Sequence, residues 1–217
     1  MTARMTREEQ VSATREALLA AAERLFAERG VHAVANRQIS EAAGHGNNAA
    51  VSYHFGTKTD LIRAIAHKHT EQIQRIRERM VAGIGDSTDL RDWVACLVRP
   101  LTEHLESLGS PTWYARFTAQ IMADPSLNEV MIEEALTIAP TLREFQEGMN
   151  RCVPDLPSEV RLERDAMARH LIVQISVERE RALAEHRPTF RPTWHDTANG
   201  LIDAIIALWQ APVTKDA

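Results

Sequence analysis

The chain has 217 residues, of which 44% are hydrophobic and 25% charged, a composition typical of a globular protein with a substantial core. Its formal net charge of -5 is unevenly spread, because residues 1–80 carry 12 Lys/Arg against 9 Asp/Glu (about +3) and residues 81–217 carry 13 against 21 (about -8). This charge permits local contacts with DNA phosphates but does not establish them. The chain has only two cysteines, no apolar leader and no run of about 18 apolar residues, so we expect a cytoplasmic protein without a membrane partner.

Helical spacing of apolar residues predicts three short helices and one long helix in the first 80 residues. The three short helices span about Ser12–Glu28, Arg37–Ala43 and Asn48–His54, and glycines punctuate the chain between them. The fourth spans residues 58–80, where apolar residues recur at steps of three and four along one face.

The remainder also shows helical patterns and no alternating strand pattern. We predict helices near 93–108, 109–124, 126–151 (broken or kinked at Pro140), 158–186 and 194–210. The predicted fold is therefore all-α, with an N-terminal three-helix DNA-binding domain (1–57) and a larger C-terminal helical ligand-binding and dimerisation domain (58–217), helix 58–80 being shared between the two.

The order of the first helices is the layout of a helix-turn-helix, in which the third helix enters the major groove. Its residues suit that task, since Asn pairs with adenine, Ala touches the thymine methyl group and Ser donates to a base or a phosphate. Val51 and Phe55, four residues apart, are expected to face inward. The predicted reading residues are Asn47, Asn48, Ala49, Ala50 and Ser52, with Tyr53, His54 and Lys58 reaching phosphates.

The stretch from Ala21 to Ile65 resembles the TetR (tetracycline repressor) family. The resemblance rests on AERLFAERG at 22–30, RQISEAAG at 37–44 and VSYHFGTKTDL at 51–61, where the Tyr-His-Phe-x-x-Lys-x-x-Leu block is highly specific. It implies a DNA-binding regulator, usually a repressor, that dimerises through its last two helices and releases DNA on ligand binding. It also implies a DNA contact by Arg37 from the second helix.

Two departures from the family pattern stand out. The turn at residues 45–48 is one residue longer than the common pattern, which affects the alignment of Asn47 and Asn48. Ala35 stands where many members have a capping Thr or Ser, and Asn36 is the candidate to cap the second helix instead.

Each DNA-contact residue also has a plain structural interpretation. Tyr53 alone could pack between helices, and His54 and Lys58 alone could be ordinary surface residues. His67 and His69 are two apart on a helix, so their side chains diverge and make a poor metal pair. No catalytic or nucleotide-binding motif is present, so we expect neither an enzyme nor a cofactor.

Aromatic and apolar residues of the second domain suggest a cavity for a small-molecule effector, although each of them could equally be core. Two polar residues in apolar surroundings, Arg116 and Gln174, are candidates to orient a ligand or to be paired structurally. The predicted ligand-binding set is Trp93, Trp113, Arg116, Phe117, Ile121, Phe145, Met149 and Gln174.

The last two helices, 158–186 and 194–210, are predicted to form the homodimer interface. Residues 171–177 are apolar around most of the helix, while Gly200, Ala204 and Ala207 permit close approach of another helix. An internal bundle in a monomer is the alternative.

These expectations combine into a repressor that binds a pseudo-palindromic operator in double-stranded DNA as a homodimer and is released by a small, mostly apolar effector. A sequence-tolerant architectural DNA binder, an all-helical enzyme that uses the C-terminal cavity, and an activator are the alternatives.

Overall fold

The computed structural model describes residues 6–46, 49–138, 142–153 and 155–214, and this part of the chain contains ten α-helices and no strand. The all-α prediction is confirmed. The helices are α1 (Arg7–Arg29), α2 (Asn36–Ala42), α3 (Ala50–Phe55), α4 (Lys58–Ile84), α5 (Leu90–Leu108), α6 (Tyr114–Met122), α7 (Pro125–Ile138), α8 (Leu142–Cys152), α9 (Ser158–Ala184) and α10 (Trp194–Gln210). None of them, in the described ranges, has the length and apolar character needed to span a membrane.

Helix α1 begins five residues before the predicted start because its N-terminus is capped by polar side chains. Thr6 Oγ1 accepts from the backbone N–H of Glu9 at 3.2 Å, and the Glu9 carboxylate accepts from the Thr6 N–H at 2.7 Å. This reciprocal capping box satisfies two of the amides that an α-helix leaves unpaired. The helix ends at Gly30, whose φ of 84° disfavours any residue with a Cβ.

The chain divides into two compact units. The first contains residues up to Lys68 together with Arg116–Glu134. Its core is apolar and fully buried, and the rings of Phe26 and Phe117 stack with centroids 6.3 Å apart. Leu18, Ile39, Val51, Leu61, Ile62, Ile65 and Ile121 complete that core.

The second unit contains His69–Ala115 and Ala135–Ala217. Helices α5 and α10 pack extensively against each other, and α5 also packs against α8. Pro100 lies inside α5 without ending the helix. A Cβ placed on Gly148 of α8 would overlap the Trp93 ring, so only glycine fits there and α8 lies directly on that ring.

Candidate nucleic-acid interface

Helices α2 and α3 form the surface that the sequence predicts to meet DNA. Val51 is fully buried and fixes α3 against the first unit, while Ser52 is exposed and Tyr53 keeps 77% of its surface. A tyrosine of that exposure on a short helix has a hydroxyl and a ring edge free for a partner. The alternative in which Tyr53 packs between helices is therefore not what the structure contains.

The other residues predicted on this helix differ in how much surface they offer. His54 is half-buried, with its ring edge-on to Tyr53 at a centroid distance of 5.0 Å. Ala49 is exposed, whereas Ala50 is 8% exposed and has little surface for a thymine methyl group. Asn47 and Asn48 lie outside the described residues.

Phe55, expected to face inward, is only half-buried. The guanidinium of Arg15 lies 5.0 Å above its ring, so the ring is partly covered by a cation from α1.

Arg37 lies on the exposed side of α2, where it is paired with Glu41 of the same helix. Arg37 Nε donates to Glu41 Oε1 at 2.7 Å, and this hydrogen bond raises the pKa of the arginine above its ordinary value. Exposed ion pairs of this kind are weak in water. This pair therefore costs little to break.

The cap of α2 differs from the expected one. Ala35, not Asn36, is the N-cap residue, and the carboxamide of Gln38 accepts from the Ala35 N–H at 2.8 Å. Asn36 is the first helical residue, and its Oδ1 is buried with no hydrogen-bond partner in the described structure. The expectation that Asn36 caps α2 is therefore wrong, since the helix starts one residue too early for it.

Lys58, the first residue of α4, ties the start of that helix to the loop between α1 and α2. Its ammonium group donates to the carbonyl of Val34 at 2.6 Å and to that of Val31 at 3.2 Å, both in the loop between α1 and α2. The side chain is half-buried. An ammonium has three N–H donors. Two of them hold this loop, and the third has no hydrogen-bond partner among the described residues.

The junction between α3 and α4 is held by a glycine and a second capping arrangement. Gly56 has a φ of 82°, and a Cβ there would stand 3.3 Å from Asp60 Oδ2. Asp60 accepts from the hydroxyl of Thr57 at 2.6 Å and from the Thr57 N–H at 3.1 Å, and these bonds lower the pKa of Asp60. The orientation of α3 relative to α4 is thus set by local backbone geometry.

The predicted ligand-binding residues are divided between the two units. Trp93, Phe145 and Met149 meet in the second unit, with the Trp93 and Phe145 rings 6.3 Å apart. Trp93 is completely buried, and its Nε1–H donates to the Ser87 carbonyl at 2.9 Å.

The remaining members of the set have other surroundings. Phe117 and Ile121 are fully buried in the first unit, to which Arg116 also belongs, and Trp113 is half-buried in the second. Gln174 is exposed on α9.

Sequence patterns gave no sign of a buried polar cluster in the second unit. His69 Nδ1 lies 2.8 Å from His104 Nε2, and the Tyr114 ring stacks on His69 at 3.9 Å. All three side chains are less than 5% exposed. Burial, with the nearby His69, lowers the pKa of His104 to about 4, so this imidazole is neutral at pH 7.

A second surface of interest lies along α9 and α10. A cleft of about 570 Å³ is lined there by apolar residues (Leu171, Ile175, Leu201), small residues (Gly200, Ala204) and the ring of Phe190, which is 90% exposed. At the end of this cleft the guanidinium of Arg179 donates to the carbonyls of Arg191 (2.6 Å) and Pro192 (2.9 Å) and to the Thr197 hydroxyl (3.2 Å). These bonds fix the loop between α9 and α10.

Comparison with known proteins agrees with this geometry. Residues 18–65 match the family model of bacterial regulatory proteins of the tetR family. No curated protein matches the chain.

Solved structures match over nearly the whole chain at low identity. A tetR family transcription regulator from Shewanella sp. PV-4 has a TM-score of 0.61 and 16% identity over 90% of this chain and 96% of its own. The regulator PfmR from Thermus thermophilus gives 0.53 and 16% (87% and 96% covered), and the multidrug binding protein EbrR, complexed with imidazole, gives 0.52 and 18% (93% and 98%). At such identities the likeness concerns the fold.

Proposed function

Because its residues 18–65 make this chain a member of the TetR family of DNA-binding transcription regulators, we propose that it is a repressor that binds a pseudo-palindromic operator as a homodimer. The observation that carries the proposal is the exposed face of α3, where Ser52 and Tyr53 project beside a fully buried Val51. In a two-fold dimer, two such helices lie about one DNA turn apart, roughly 34–36 Å, which matches the half-site spacing of a palindrome.

The proposed contacts divide into positioning and reading residues. Arg37, Tyr53, His54 and Lys58 would bind phosphates and set the register on the duplex. Ser52, Ala49, Asn47 and Asn48 would read base edges, and Ala50 would contribute little because its side chain is buried.

The direct test is to select binding sequences from a random duplex pool with the full chain and to map its sites by genome-wide footprinting. We expect a few sharp sites with two inverted half-sites. The control for the selection is the double variant Ser52→Ala/Tyr53→Ala. It should fold normally, and selection with it should yield no consensus sequence. Broad occupancy without a consensus would instead favour an architectural DNA binder.

We also propose that a small, mostly apolar effector releases the DNA. EbrR is a multidrug binding protein of the same fold, which supports a ligand for this chain. The candidate contacts remain Trp93, Trp113, Arg116, Phe117, Ile121, Phe145, Met149 and Gln174, of which Trp93, Phe145 and Met149 meet in the second unit. An effector that favours another placement of α4 would change the spacing of the two reading helices. A coupling of about 1–3 kcal/mol corresponds to a 5–150-fold change in affinity.

The effector is testable without knowing its identity in advance. A fluorescently labelled operator duplex is bound by the protein, and its fluorescence anisotropy is followed while library compounds are added. The library contains hydrophobic cations, hydrophobic acids and neutral aromatic compounds. We expect at least one compound class to lower affinity at least fivefold in the wild type and not in Phe145→Ala. Chemical turnover of a compound that leaves DNA affinity unchanged would instead favour the enzyme alternative.

A further inference from the structure

An open cleft of about 710 Å³ lies between α4 and α5, within the second unit. Its volume is in the range of small-molecule sites. The residues predicted to bind an effector are not among those that line it, so this cleft is distinct from the cluster of Trp93, Phe145 and Met149. The lining residues that matter below are Gln72, Arg75, Ile76 and Arg79 from α4 and Leu108 from α5.

Two arginines give one wall of this cleft its positive charge. Arg75 and Arg79 are four residues apart, so they are neighbours on one side of α4, about 6 Å apart along the helix. Both are exposed. Arg75 pairs with Glu71 of the same helix, a surface pair that is weak in water, and Arg79 forms no ion pair or hydrogen bond within the described ranges. Two guanidinium groups at this spacing can donate together to one carboxylate.

The remaining polar groups of the lining do not take over this role. The Ser107 hydroxyl donates to the His104 carbonyl at 2.7 Å, so its proton is used within α5. His104 is only 4% exposed, and burial, with the nearby His69, lowers its pKa to about 4, so the imidazole carries no charge at pH 7. Glu78 adds one negative charge against the two arginines. The charge available to an anion is therefore that of the guanidinium groups.

Apolar surface lies next to these cations. Leu108, the last residue of α5, is 38% exposed, and Ile76 is half-buried on the same side of α4 as the two arginines. A ligand with a charged head and an apolar tail would find a suitable partner for each part in one cleft.

We propose that this cleft binds amphipathic organic anions, namely small carboxylates with an apolar tail. The guanidinium groups of Arg75 and Arg79 hold the carboxylate, and the tail covers Ile76 and Leu108. A neutral alcohol of the same length loses the charge-assisted hydrogen bonds, and a cation of that length meets like charge. Binding at this site does not require DNA, so it can be judged apart from the proposed repressor function.

The test titrates the full chain, without DNA, by isothermal titration calorimetry with octanoate, octanol, octyltrimethylammonium and acetate. We expect octanoate to bind about tenfold or more tightly than each of the others, because only octanoate has both the carboxylate and the tail. The double variant Arg75→Gln/Arg79→Gln should weaken octanoate binding about tenfold or more and leave octanol binding unchanged. Leu108→Asn should weaken octanoate binding and leave acetate binding unchanged.

The matched control is Arg143→Gln/Arg169→Gln, which removes the same charge from two exposed arginines outside the cleft and should not change octanoate affinity. Phe145→Ala should not change it either, and circular dichroism checks that each variant is folded. Equal affinity for octanoate and octanol, no binding of octanoate by the wild type, or binding that Phe145→Ala removes and Arg75→Gln/Arg79→Gln preserves would overturn this site. Each of these results would leave the DNA-binding proposal intact.

Discussion

Two loops of this molecule are fixed in the same way, although the exposed surfaces of the two units differ. The loop between α1 and α2 is held by the Lys58 ammonium on two carbonyls, and the loop between α9 and α10 is held by the Arg179 guanidinium on two carbonyls and a hydroxyl. Neither cation forms a direct ion pair with a carboxylate in the described structure, although Glu106 and Asp196 favour the charge of Arg179 from farther away. A cation from a helix is thus used to fix an adjacent loop in each unit.

The exposed surfaces of the two units differ in chemistry. In the described part of the first unit, the most exposed aromatic side chain is Tyr53, which carries a hydroxyl. In that of the second unit it is Phe190, which carries none. A loop fixed by a cation therefore does not determine what kind of molecule a surface can bind. The exposed side chains determine it, because a polar face suits phosphates and bases whereas an apolar face suits another protein surface.

The largest expected effect comes from removing the second of these two cations. Arg179→Met leaves two carbonyls and a hydroxyl without donors, and we expect the free energy of unfolding to fall by about 3 kcal/mol. Urea denaturation followed by circular dichroism measures it. Arg169→Met, an exposed change on the same helix, should cost less than about 0.5 kcal/mol. Equal losses for both variants would show that the loop is held by something else.

Acid should perturb the second unit through His104. The pKa of this buried imidazole is about 4 in the folded chain against 6.5 for an ordinary histidine, so the unfolded chain takes up the proton first as the pH falls. Stability from the neutral imidazole is complete above pH 6.5 and is lost on acidification toward pH 4. Between pH 7.5 and 5 we expect a loss of about 2 kcal/mol from this group.

The measurement is urea denaturation at both pH values for the wild type and His104→Gln. The variant cannot titrate, so its stability should change with pH by about 2 kcal/mol less than that of the wild type. An identical pH dependence in the two proteins would mean that His104 does not carry the shift.

Removing the charge of Lys58 tests whether this side chain contacts a DNA phosphate in addition to the two loop carbonyls. Lys58→Met should lower affinity for every sequence about tenfold and reduce the slope of log affinity against log salt by about one per subunit, because one phosphate contact is lost. Titrations at several salt concentrations measure both. Lys68→Met, which removes an exposed lysine paired with Glu16, is the control and should change neither. A loss of affinity with an unchanged slope would assign Lys58 to the scaffold alone.

The smallest expected effect on operator affinity distinguishes the role of the exposed Tyr53 ring from that of the exposed Phe190 ring. Tyr53→Ala should weaken operator binding about fivefold and leave the melting temperature unchanged, since the side chain is 77% exposed. Phe190→Ala removes the even more exposed ring of the other region. Measured well above the dimer dissociation constant, it should leave operator affinity unchanged. The reverse result would exchange the roles of the two surfaces.

The spacing of apolar residues predicted well that the elements are helices and in what order they occur, because a helix buried on one face has apolar residues at steps of three and four. It placed their ends less well. Helix α1 starts at Arg7 through a cap made by Thr6 and Glu9, while the apolar pattern begins only at Leu18. Helix α4 runs past Gly83 and ends just before Gly85, whose φ of 52° requires the left-handed region.

The candidate sites were less accessible to sequence reasoning. The exposure of Tyr53 follows from its place next to a buried Val51, but the two carbonyls that Lys58 binds lie 24 and 27 residues away and leave no local pattern. The same holds for the contact between His69 and His104, 35 residues apart. For the ligand set, aromatic composition cannot tell a cavity wall from a packed core, as the close approach of Gly148 to Trp93 illustrates.

The binding of loop carbonyls by cations has a consequence for experiments in salt. An ammonium or guanidinium on partly buried carbonyl dipoles acts over about 3 Å, well inside the roughly 10 Å over which 0.1 M salt screens charges. Raising the ionic strength should therefore lower the affinity for DNA while the two loops keep their conformation. If the proposed DNA binding holds, the salt dependence of its affinity would then report the counterions released from DNA, without a contribution from loops that change shape.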